Sequence, residues 1–285
     1  MSTNNIIRTI NSLAEMRKFS IEQKGEGRTI ALVPTMGALH EGHLSLIRMA
    51  GANADVVVVS IFVNPKQFGE GEDFNKYKSD LKGDMESVGK YNVDAVFIPS
   101  AEEIFPDGFQ TYVEVTGLQD NLCGDFRPGH FRGVSTVVLK LFNIVLPELA
   151  VFGEKDYQQL KIIQRMVKDL NLSVSILSSP IVREESGLAL SSRNEYLSDD
   201  EKSRASSIYR ALSAVKESFK SGEKDVKTLV DIGVKILLSN NINQIDYLEI
   251  RDGETLGEVN KANSGNIVAI AARIGSARLI DNIKL

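Results

Sequence analysis

The chain has 285 residues, of which 42% are hydrophobic, so it can bury a substantial core in one large domain or two modest ones. The net charge of -5, without any Lys/Arg block, argues against a nucleic-acid partner. A single cysteine, Cys123, excludes an internal disulfide and is typical of a reducing compartment. Because neither a signal segment nor an apolar run of membrane-spanning length occurs, we expect a cytoplasmic protein without a membrane partner.

Up to about residue 180 the chain alternates strand and helix patterns. Residues 8–24 carry apolar side chains at helical spacing, and the short apolar run 29–33 is typical of a buried strand. The β-branched run 55–63 is expected of a central parallel strand that is covered on both faces. The pattern predicts further strands at 93–99, 112–115, 149–152 and 173–177, and helices at 75–90, 133–146 and 156–170. This alternation predicts an α/β fold with a parallel sheet and right-handed crossovers.

The pattern changes near Pro180. Two amphipathic helices are predicted at 199–220 and 225–239, and strand-like runs at 244–251, 266–273 and 277–283 follow without helices between them. This shift predicts a second, smaller α+β domain. We place the boundary within 180–186, which divides the chain into domains at 1–182 and 183–285.

The most informative stretch links the strand at 29–33 to the helix that follows it. Gly37 and Gly42 allow tight or positive-φ backbone and a close approach by a ligand. A helix that begins near His43 presents unpaired N–H groups and the positive end of its dipole, which suits a phosphate. His40 and His43 can donate hydrogen bonds to phosphate oxygens from the same place. We interpret the stretch as a nucleotide site.

Other interpretations of this stretch are weaker. Two histidines three residues apart are often only a pair on a helix surface, or half of a metal site. Neither G-x-x-x-x-G-K-[ST] nor G-x-G-x-x-G occurs, which disfavours a P-loop or a dinucleotide fold. A zinc site is poorly supported, because the chain has one Cys and three His and no close third ligand.

Several polar loops are predicted at the carboxyl ends of the strands, where open parallel sheets bind ligands. They are 40–43, 64–67, 153–156 and 186–193, and His130 lies in a similar loop at 127–133. A single polar loop of this kind is more often an ordinary turn than part of a binding site. Their joint placement is what argues for a site.

The side chains in these loops complement one kind of substrate. Lys155, Arg193, Ser191, Ser192 and the two histidines supply donors and positive charge for a polyphosphate. Gln67 and Gln159 are neutral amides that can orient the hydroxyl and carboxylate groups of a small substrate. Asp84 could help to hold Mg²⁺ on the phosphates, although a solvated carboxylate on a helix face is an equally good interpretation.

Five longer motifs, taken together and in this order, resemble one enzyme family. They are PTMGALHEGH (34–43), FVNPKQFG (62–69), RPGHFRGVSTVV (127–138), FGEKDYQQL (152–160) and GLALSSRN (187–194). From about residue 28 to its C-terminus the chain resembles the pantothenate synthetase, or pantoate–β-alanine ligase, family of HxGH nucleotidyltransferases. The resemblance implies a Rossmann-like parallel-sheet domain, a C-terminal α+β lid domain and a homodimer.

The resemblance also implies an activity. It is that of an AMP-forming ligase that uses ATP with Mg²⁺ to join (R)-pantoate to β-alanine through a pantoyl-adenylate intermediate. The products are pantothenate, AMP and pyrophosphate, in the biosynthesis of pantothenate and coenzyme A. The Lys-rich signature loop of the superfamily is missing, and Ser191, Ser192 and Arg193 stand in its place.

Site residues follow from the same resemblance. His43 takes the position of a proton donor, and the further catalytic residues implied are His40, Lys155, Ser191, Ser192 and Arg193. The implied ATP-binding residues are Pro34, Thr35, Met36, Gly37, Ala38, Leu39, His40, Glu41, Gly42, His43, Gly153, Glu154, Lys155, Asp156, Val182, Leu190, Ser191, Ser192 and Arg193. The implied contacts to the small substrates are Gln67, Gln159, Asn64, Met36 and His130. Asp84 matches a Mg²⁺-associated carboxylate, although Gly83 stands where some relatives have a second acid.

Two other functions remain open from the sequence. One is an adenylyltransferase that joins a nucleotide to a phosphorylated acceptor and stops there, which AMP formation with β-alanine would exclude. The other is a nucleotide-sensing module without catalysis. The many donors predicted around the phosphates argue against that module, and pantoate-dependent release of pyrophosphate would exclude it.

Overall fold

The computed structural model describes residues 7–69, 71–72, 74 and 80–285. The strands in these ranges are β1 (Arg8–Ile10), β2 (Ile30–Thr35), β3 (Val56–Ile61), β4 (Ala95–Phe97), β5 (Leu149–Gly153), β6 (Ser175–Ser179), β7 (Gln244–Asp252), β8 (Asn266–Ile274) and β9 (Ala277–Lys284). The helices are α1 (Leu13–Gly25), α2 (Glu41–Asn53), α3 (Leu81–Val88), α4 (Ala101–Ile104), α5 (Cys123–Phe126), α6 (His130–Val145), α7 (Tyr157–Asp169), α8 (Asp199–Lys220) and α9 (Val226–Ser239). None of the helices among the described residues combines the length and apolar character needed to cross a membrane.

The chain divides into two compact units. Unit 1 contains Met1–Thr116, Arg127–Glu154 and Ile162–Pro180. Unit 2 contains Gly117–Phe126, Lys155–Lys161 and Ile181–Leu285. The domain division at 182/183 that we drew from the sequence stays a prediction.

Unit 1 is built on a parallel sheet with strand order β1-β4-β3-β2-β5-β6. All six residues of β3 are buried, as expected of a central strand that helices cover on both faces. From β2 the chain adds β3 and β4 on one side of the sheet and later adds β5 and β6 on the other side, so the direction of winding changes between β2 and β5. In sheets of this type the crevice at such a switch point, beyond the carboxyl ends of the strands, is the usual ligand site. The loop that follows β2 is therefore the first place to look for a site.

Helix α2 is anchored on this sheet by one apolar face. Leu46, Ile47 and Ala50 are buried in the same cluster as Val33 of β2 and Val151 of β5. Burying a leucine, isoleucine or valine side chain stabilises the packing by roughly 1.5–3 kcal/mol relative to leaving it exposed. The first turn of α2 is therefore held at the carboxyl edge of the sheet.

Unit 2 is built on an antiparallel sheet with strand order β7-β8-β9. Helices α8 and α9 supply Leu212 and Leu237 to a core that also contains Val268 and Ile270 of β8. The predicted fold class, a Rossmann-like parallel sheet followed by a smaller α+β part, is confirmed. The helices and strands predicted within 199–283 are all observed with the predicted type, and each of their ends lies within one residue of the predicted end.

Two predicted elements differ from the structure. The run 8–24 is not one helix, because β1 comes first and Ser12 then caps α1 by accepting a hydrogen bond from the N–H of Glu15 at 3.2 Å. No strand forms at 112–115; instead, the N–H of Val113 donates to the Thr136 hydroxyl of α6 at 3.0 Å. An alternating pattern makes a strand only where a neighbouring strand can pair with it.

Two further differences concern element boundaries. The helix predicted at 75–90 is observed as α3, which Asp80 caps, while 75–79 lie outside the described residues. His130, which we expected in a loop, is the first residue of α6.

Candidate active site

The loop after β2 turns sharply through left-handed backbone. Gly37 has φ +82° and Ala38 has φ +51°. A Cβ on Gly37 would lie 2.8 Å from Oδ2 of Asp84 and 3.2 Å from the Ile61 side chain, so only glycine fits there. The chain then enters α2 at Glu41. This turn places the start of α2 directly beyond the end of β2.

The two histidines of this segment cap α2 with their own rings. Nδ1 of His40 accepts a hydrogen bond from the N–H of Gly42 at 3.1 Å, and Nδ1 of His43 accepts one from the N–H of His40 at 3.3 Å. The ring centroids lie 4.2 Å apart. Because an N–H group can only donate, each Nδ1 must be unprotonated, and the proton of each neutral ring sits on Nε2. The cap thereby presents two oriented imidazole donors at a helix N-terminus.

Asp84 of α3 fastens the loop from the other side. Its side chain is buried, and its carboxylate oxygens accept hydrogen bonds from the N–H of Ala38 at 3.0 Å and of Leu39 at 2.7 Å. Burial raises the pKa of the Asp84 carboxyl above its ordinary value, and the two amide donors act in the opposite direction. The side chain therefore faces the loop and is not a solvated carboxylate on the helix surface.

A second polar turn follows β3. Asn64 caps the short 3₁₀ helix Pro65–Gln67 by accepting a hydrogen bond from the N–H of Lys66 at 3.1 Å. The amide nitrogen of Asn64 donates to the carbonyl of Gly133 at 3.1 Å and to Oε1 of Gln67 at 2.9 Å. The side-chain nitrogen of Gln67 lies 3.1 Å from the sulfur of Met36. The two backbone partners fix which way the Asn64 amide points, and this in turn makes the outer group of Gln67 a donor.

Helix α6 packs directly on this turn. A Cβ on Gly133 would lie 2.2 Å from the carbonyl oxygen of Lys66. Nδ1 of His130 lies 2.8 Å from the backbone oxygen of Gln67. Nε2 of the same His130 ring lies 3.1 Å from Nη1 of Arg127. Both ring nitrogens of His130 thus have protein partners, which supports an indirect role through Gln67. The contact of His130 and Asn64 with substrate stays a prediction.

Sequence reasoning missed the ion pair that supports this helix end. Arg127 donates to both carboxylate oxygens of Glu72, at 2.7 and 2.6 Å, and also lies 3.3 Å from the backbone oxygen of Gln67. Arg127 belongs to one of the quoted motifs, so its position could have drawn attention. Glu72 lies in a polar loop and carries no pattern that would have marked it.

Hydroxyl groups cluster at the carboxyl ends of β5 and β6, next to the start of α2. Ser45 donates to the carbonyl of Gly42 at 2.7 Å, and its oxygen lies 3.4 Å from that of Ser179. Ser178 donates to Glu154 at 3.2 Å. The predicted site residue Glu154 is thereby tied to β6, and the three serines were not singled out from the sequence.

Gly153 is the last residue of β5 in unit 1, and the other predicted residues not yet described lie in unit 2. Lys155, Asp156 and Gln159 are half-buried, and Nζ of Lys155 lies 4.0 Å from a carboxylate oxygen of Asp156. The N–H of Leu190 donates to the carbonyl of Val182 at 3.0 Å. Ser191 caps the 3₁₀ helix Ser192–Tyr196 by accepting a hydrogen bond from the N–H of Arg193 at 3.3 Å.

The two neighbouring glutamines of α7 have different surroundings. The amide of Gln158 is buried and bonds to the backbone of residues 118, 121 and 123 and to the side chain of Asn121. Gln159 is half-buried. This difference supports Gln159, not Gln158, as the amide available to a substrate.

Comparison with known proteins identifies the family. A family model described as pantoate-beta-alanine ligase matches residues 6–284. The chain belongs to the pantoate–β-alanine ligase family. The resemblance that we drew from its motifs is confirmed, and with it the assignment of the chain to this class of ligases.

Relatives match this family member over nearly their full length. The pantothenate synthetase of Sulfurihydrogenibium is 52% identical over 277 residues, which cover 96% of this chain and 99% of the relative. A crystal structure of pantothenate synthetase from Thermus thermophilus matches with a TM-score of 0.93 and 44% identity, covering 98% of this chain and 99% of the other. The Francisella tularensis ligase, solved as a complex with beta-gamma ATP and beta-alanine, matches with a TM-score of 0.83, 36% identity and 98% coverage of both chains.

We predict that Gly133→Ala lowers the free energy of unfolding by about 1–3 kcal/mol, because the added methyl group overlaps the backbone of Lys66. Gly51→Ala is the matched control, since it also adds a methyl group to a helix but meets its nearest atom at 3.9 Å. That variant should be neutral or up to about 1 kcal/mol more stable. Urea unfolding measures both, and equal effects would contradict the close packing of α6 on the turn.

We predict that Asp84→Asn lowers kcat/KM for ATP by about 10- to 100-fold, because one of the two loop amides loses its acceptor. Asp80→Asn makes the same change of charge at the exposed cap of the same helix and should stay within about twofold of the parent protein. Steady-state kinetics with ATP varied measures both. An unchanged Asp84→Asn variant would remove this carboxylate from the site.

Proposed function

We propose that this ligase condenses (R)-pantoate with β-alanine at the expense of ATP, through pantoyl adenylate, and yields pantothenate, AMP and pyrophosphate. Membership of the family supports the overall reaction. The single observation that carries the site is the histidine cap of α2, in which both rings accept through Nδ1 and so carry the proton of the neutral ring on Nε2, where β2 ends. A helix N-terminus with such donors is suited to the phosphates of a nucleotide.

The first half-reaction needs alignment and charge stabilisation more than a base. The carboxyl group of pantoate, with a reference pKa of about 4, is already ionised at neutral pH. One of its oxygens attacks the α-phosphorus of ATP, the bond to the β-phosphate breaks, and pyrophosphate leaves. Negative charge develops on the α-phosphate and the leaving group, where preorganised donors are most effective. His40, His43 and the first amides of α2 are the groups of unit 1 proposed for this task.

Gln67 is proposed to hold the acid substrate. Its Oε1 is occupied by the Asn64 amide, so the group it offers is an NH₂ donor beside Met36. Such a donor suits the carboxylate or hydroxyl oxygens of pantoate. Asn64, Arg127 and His130 then act by holding the turn that carries Gln67, and Gln159 is proposed as a second amide contact.

The cations proposed for the triphosphate lie in unit 2. Lys155 and Arg193 supply the charge, and Ser191 and Ser192 supply hydroxyl donors. The family resemblance assigns further ATP contacts to Gly153, Glu154, Asp156, Val182 and Leu190, together with residues 34–43. Backbone contacts in this set are also expected, because several of these residues have no polar side chain.

In the second half-reaction the amine of β-alanine attacks the acyl carbon of the adenylate. The bond from that carbon to the phosphate oxygen breaks, and AMP leaves with the electron pair. The attacking amine must be uncharged, and it releases one proton to water as the amide forms. The residues that oriented the adenylate also stabilise the departing AMP, because its charge lies on the same phosphate.

We propose that Mg²⁺ accompanies ATP. Among the described residues no three His, Cys, Asp or Glu side chains gather into a metal site. One carboxylate next to the phosphate-binding loop fits the usual case, in which Mg²⁺ is held by one or two carboxylates together with phosphate oxygens and water. Asp84 is that carboxylate, since each of its oxygens accepts one amide and keeps a second lone pair. Bound there, the ion would neutralise charge on the phosphates.

We also propose a cytoplasmic homodimer. The family resemblance supports the dimer, and the buried, unpaired Cys123 supports a reducing compartment. Sedimentation equilibrium of the purified chain distinguishes a dimer from a monomer.

The deciding experiment is a coupled assay in which ATP, pantoate and β-alanine are each omitted in turn. The proposal requires pyrophosphate release that depends on pantoate, and AMP release that depends on all three. A nucleotidylated product that accumulates in the presence of β-alanine would indicate an adenylyltransferase instead.

His43→Ala and Lys155→Ala should each fold normally and lose at least about 100-fold in the rate of pyrophosphate release, the scale of one preorganised donor lost from a transition state. Lys168→Ala removes an exposed lysine from α7 and serves as the control, with an unchanged rate. Full activity in either of the first two variants would remove that residue from the proposed site.

Gln67→Ala should raise the KM for pantoate by about 10-fold or more while changing the KM for ATP little, because the lost donor is proposed to face the acid. The two KM values are measured in the same preparation, so the ATP value is the internal control. An unchanged pantoate KM would refute the role of Gln67.

A further inference from the structure

Unit 2 contains a buried ion pair that the proposed site does not use. Arg183 donates to both oxygens of Asp281, at 2.6 and 2.9 Å, in the forked geometry that guanidinium and carboxylate groups prefer. The Asp281 side chain is 3% exposed and that of Arg183 18%. Burial raises the pKa of Asp281, and the bonds from Arg183 oppose that shift. Such a pair is costly to desolvate and is weak evidence for stability alone.

Arg183 also holds a hairpin against β9. Its guanidinium donates to the carbonyl of Gly187 at 3.1 Å and to that of Asn282 at 3.3 Å, and it lies 4.1 Å from the ring centroid of Tyr209. A Cβ on Gly187, where φ is +87°, would lie 2.4 Å from the same ring. The hairpin of residues 183–189 therefore packs against the ion pair on one side and against Tyr209 of α8 on the other.

The residue after Asp281 makes the second connection. The side-chain nitrogen of Asn282 donates to the backbone oxygen of Lys155 at 3.0 Å. Asn282 is 5% exposed, so this bond is shielded from water. It fixes the main chain at the point from which the Lys155 side chain leaves.

The hairpin continues without a break into residues 191–193. Backbone bonds close it through an antiparallel bridge of Arg183 with Ala189. Asn194 then ties the following turn to the hairpin, because its side-chain nitrogen donates to Ala189 at 3.1 Å and to Glu184 at 3.2 Å. Arg193 is thus held by the same structure that begins at Arg183.

We propose that Arg183, Asp281 and Asn282, here called the Arg183 clamp, are positioning residues that fix the backbone carrying the phosphate-binding groups of unit 2. One guanidinium and its neighbours set the place of Lys155 on one side and of residues 191–193 on the other. A displacement of about 1 Å in such groups is enough to cost about 100-fold in rate. The inference rests on the proposed function, because it takes these groups to bind the phosphates of ATP.

The test uses Asn282→Ala, which removes the tether to Lys155 without leaving a buried charge unpaired. We expect binding of Mg²⁺-ATP, measured by calorimetry, to weaken about tenfold or more, and the KM for pantoate to change by less than about twofold. Asn266→Ala is the matched control, because Asn266 is also a buried asparagine of this sheet but its side chain accepts its bond from the N–H of Asn263, within its own turn. It should change the unfolding midpoint and not the affinity for ATP.

A double-mutant cycle separates positioning from general damage. In a Lys155→Ala background, Asn282→Ala should have almost no further effect on ATP affinity, because it acts through Lys155. Fully additive effects, or an unchanged affinity in Asn282→Ala alone, would overturn the inference. Arg183→Lys, which keeps the charge but loses the fork, should weaken ATP binding at least as strongly.

The assay also distinguishes this inference from the proposed function. If the parent chain binds ATP but releases no pyrophosphate with pantoate, the proposed function fails while the cycle on ATP binding still decides about the clamp. If the parent chain is an active ligase and the cycle is additive, only the clamp is overturned.

Discussion

The capping of α2 by its own histidines is the interaction on which the site of unit 1 depends. A helix that starts at the carboxyl end of a central parallel strand leaves N–H groups without partners. Here the rings of His40 and His43 accept two of the backbone N–H groups at this start through Nδ1, so each ring is held in one orientation and one tautomer. The same bonds that complete the helix therefore aim the donors. The hydrogen bonds that cap the helix are thus the same ones that orient the histidine rings for the proposed chemistry.

The rest of unit 1 keeps that arrangement in place by using backbone groups as fixed references. Asp84 accepts from the amides of the loop, and Asn64 bonds to one backbone N–H and one carbonyl before it orients Gln67. Backbone groups have only one possible role in a hydrogen bond, so side chains bound to them lose their ambiguity. Two neutral amides thereby fix one defined NH₂ donor, which is the group proposed to bind the small acid.

In unit 2 the proposed binding groups are held in place by an ion pair instead of by neutral hydrogen bonds. The cations proposed for ATP stand on two short 3₁₀ helices, Lys155 in Glu154–Asp156 and Arg193 in Ser192–Tyr196. Such segments lose conformational entropy when they are ordered. A forked ion pair in a buried setting provides direction as well as attraction, which suits a group that must hold a hairpin to a sheet edge. The ring of Tyr209 packs against both the Arg183 guanidinium and the backbone of Gly187, which keeps the hairpin close to α8.

The sequence by itself determined the alternation of strands and helices, the change to an α+β pattern near Pro180, and the family, because periodicity and motifs are local properties of the chain. It also located the loop of Gly37 and the two histidines. Only the tertiary structure decided that Asp84 bonds to amides 45 and 46 residues away, that 112–115 stays unpaired as a strand, and that Arg183 meets Asp281. These contacts join residues that are distant in sequence, so they depend on the path of the backbone, which no local pattern encodes.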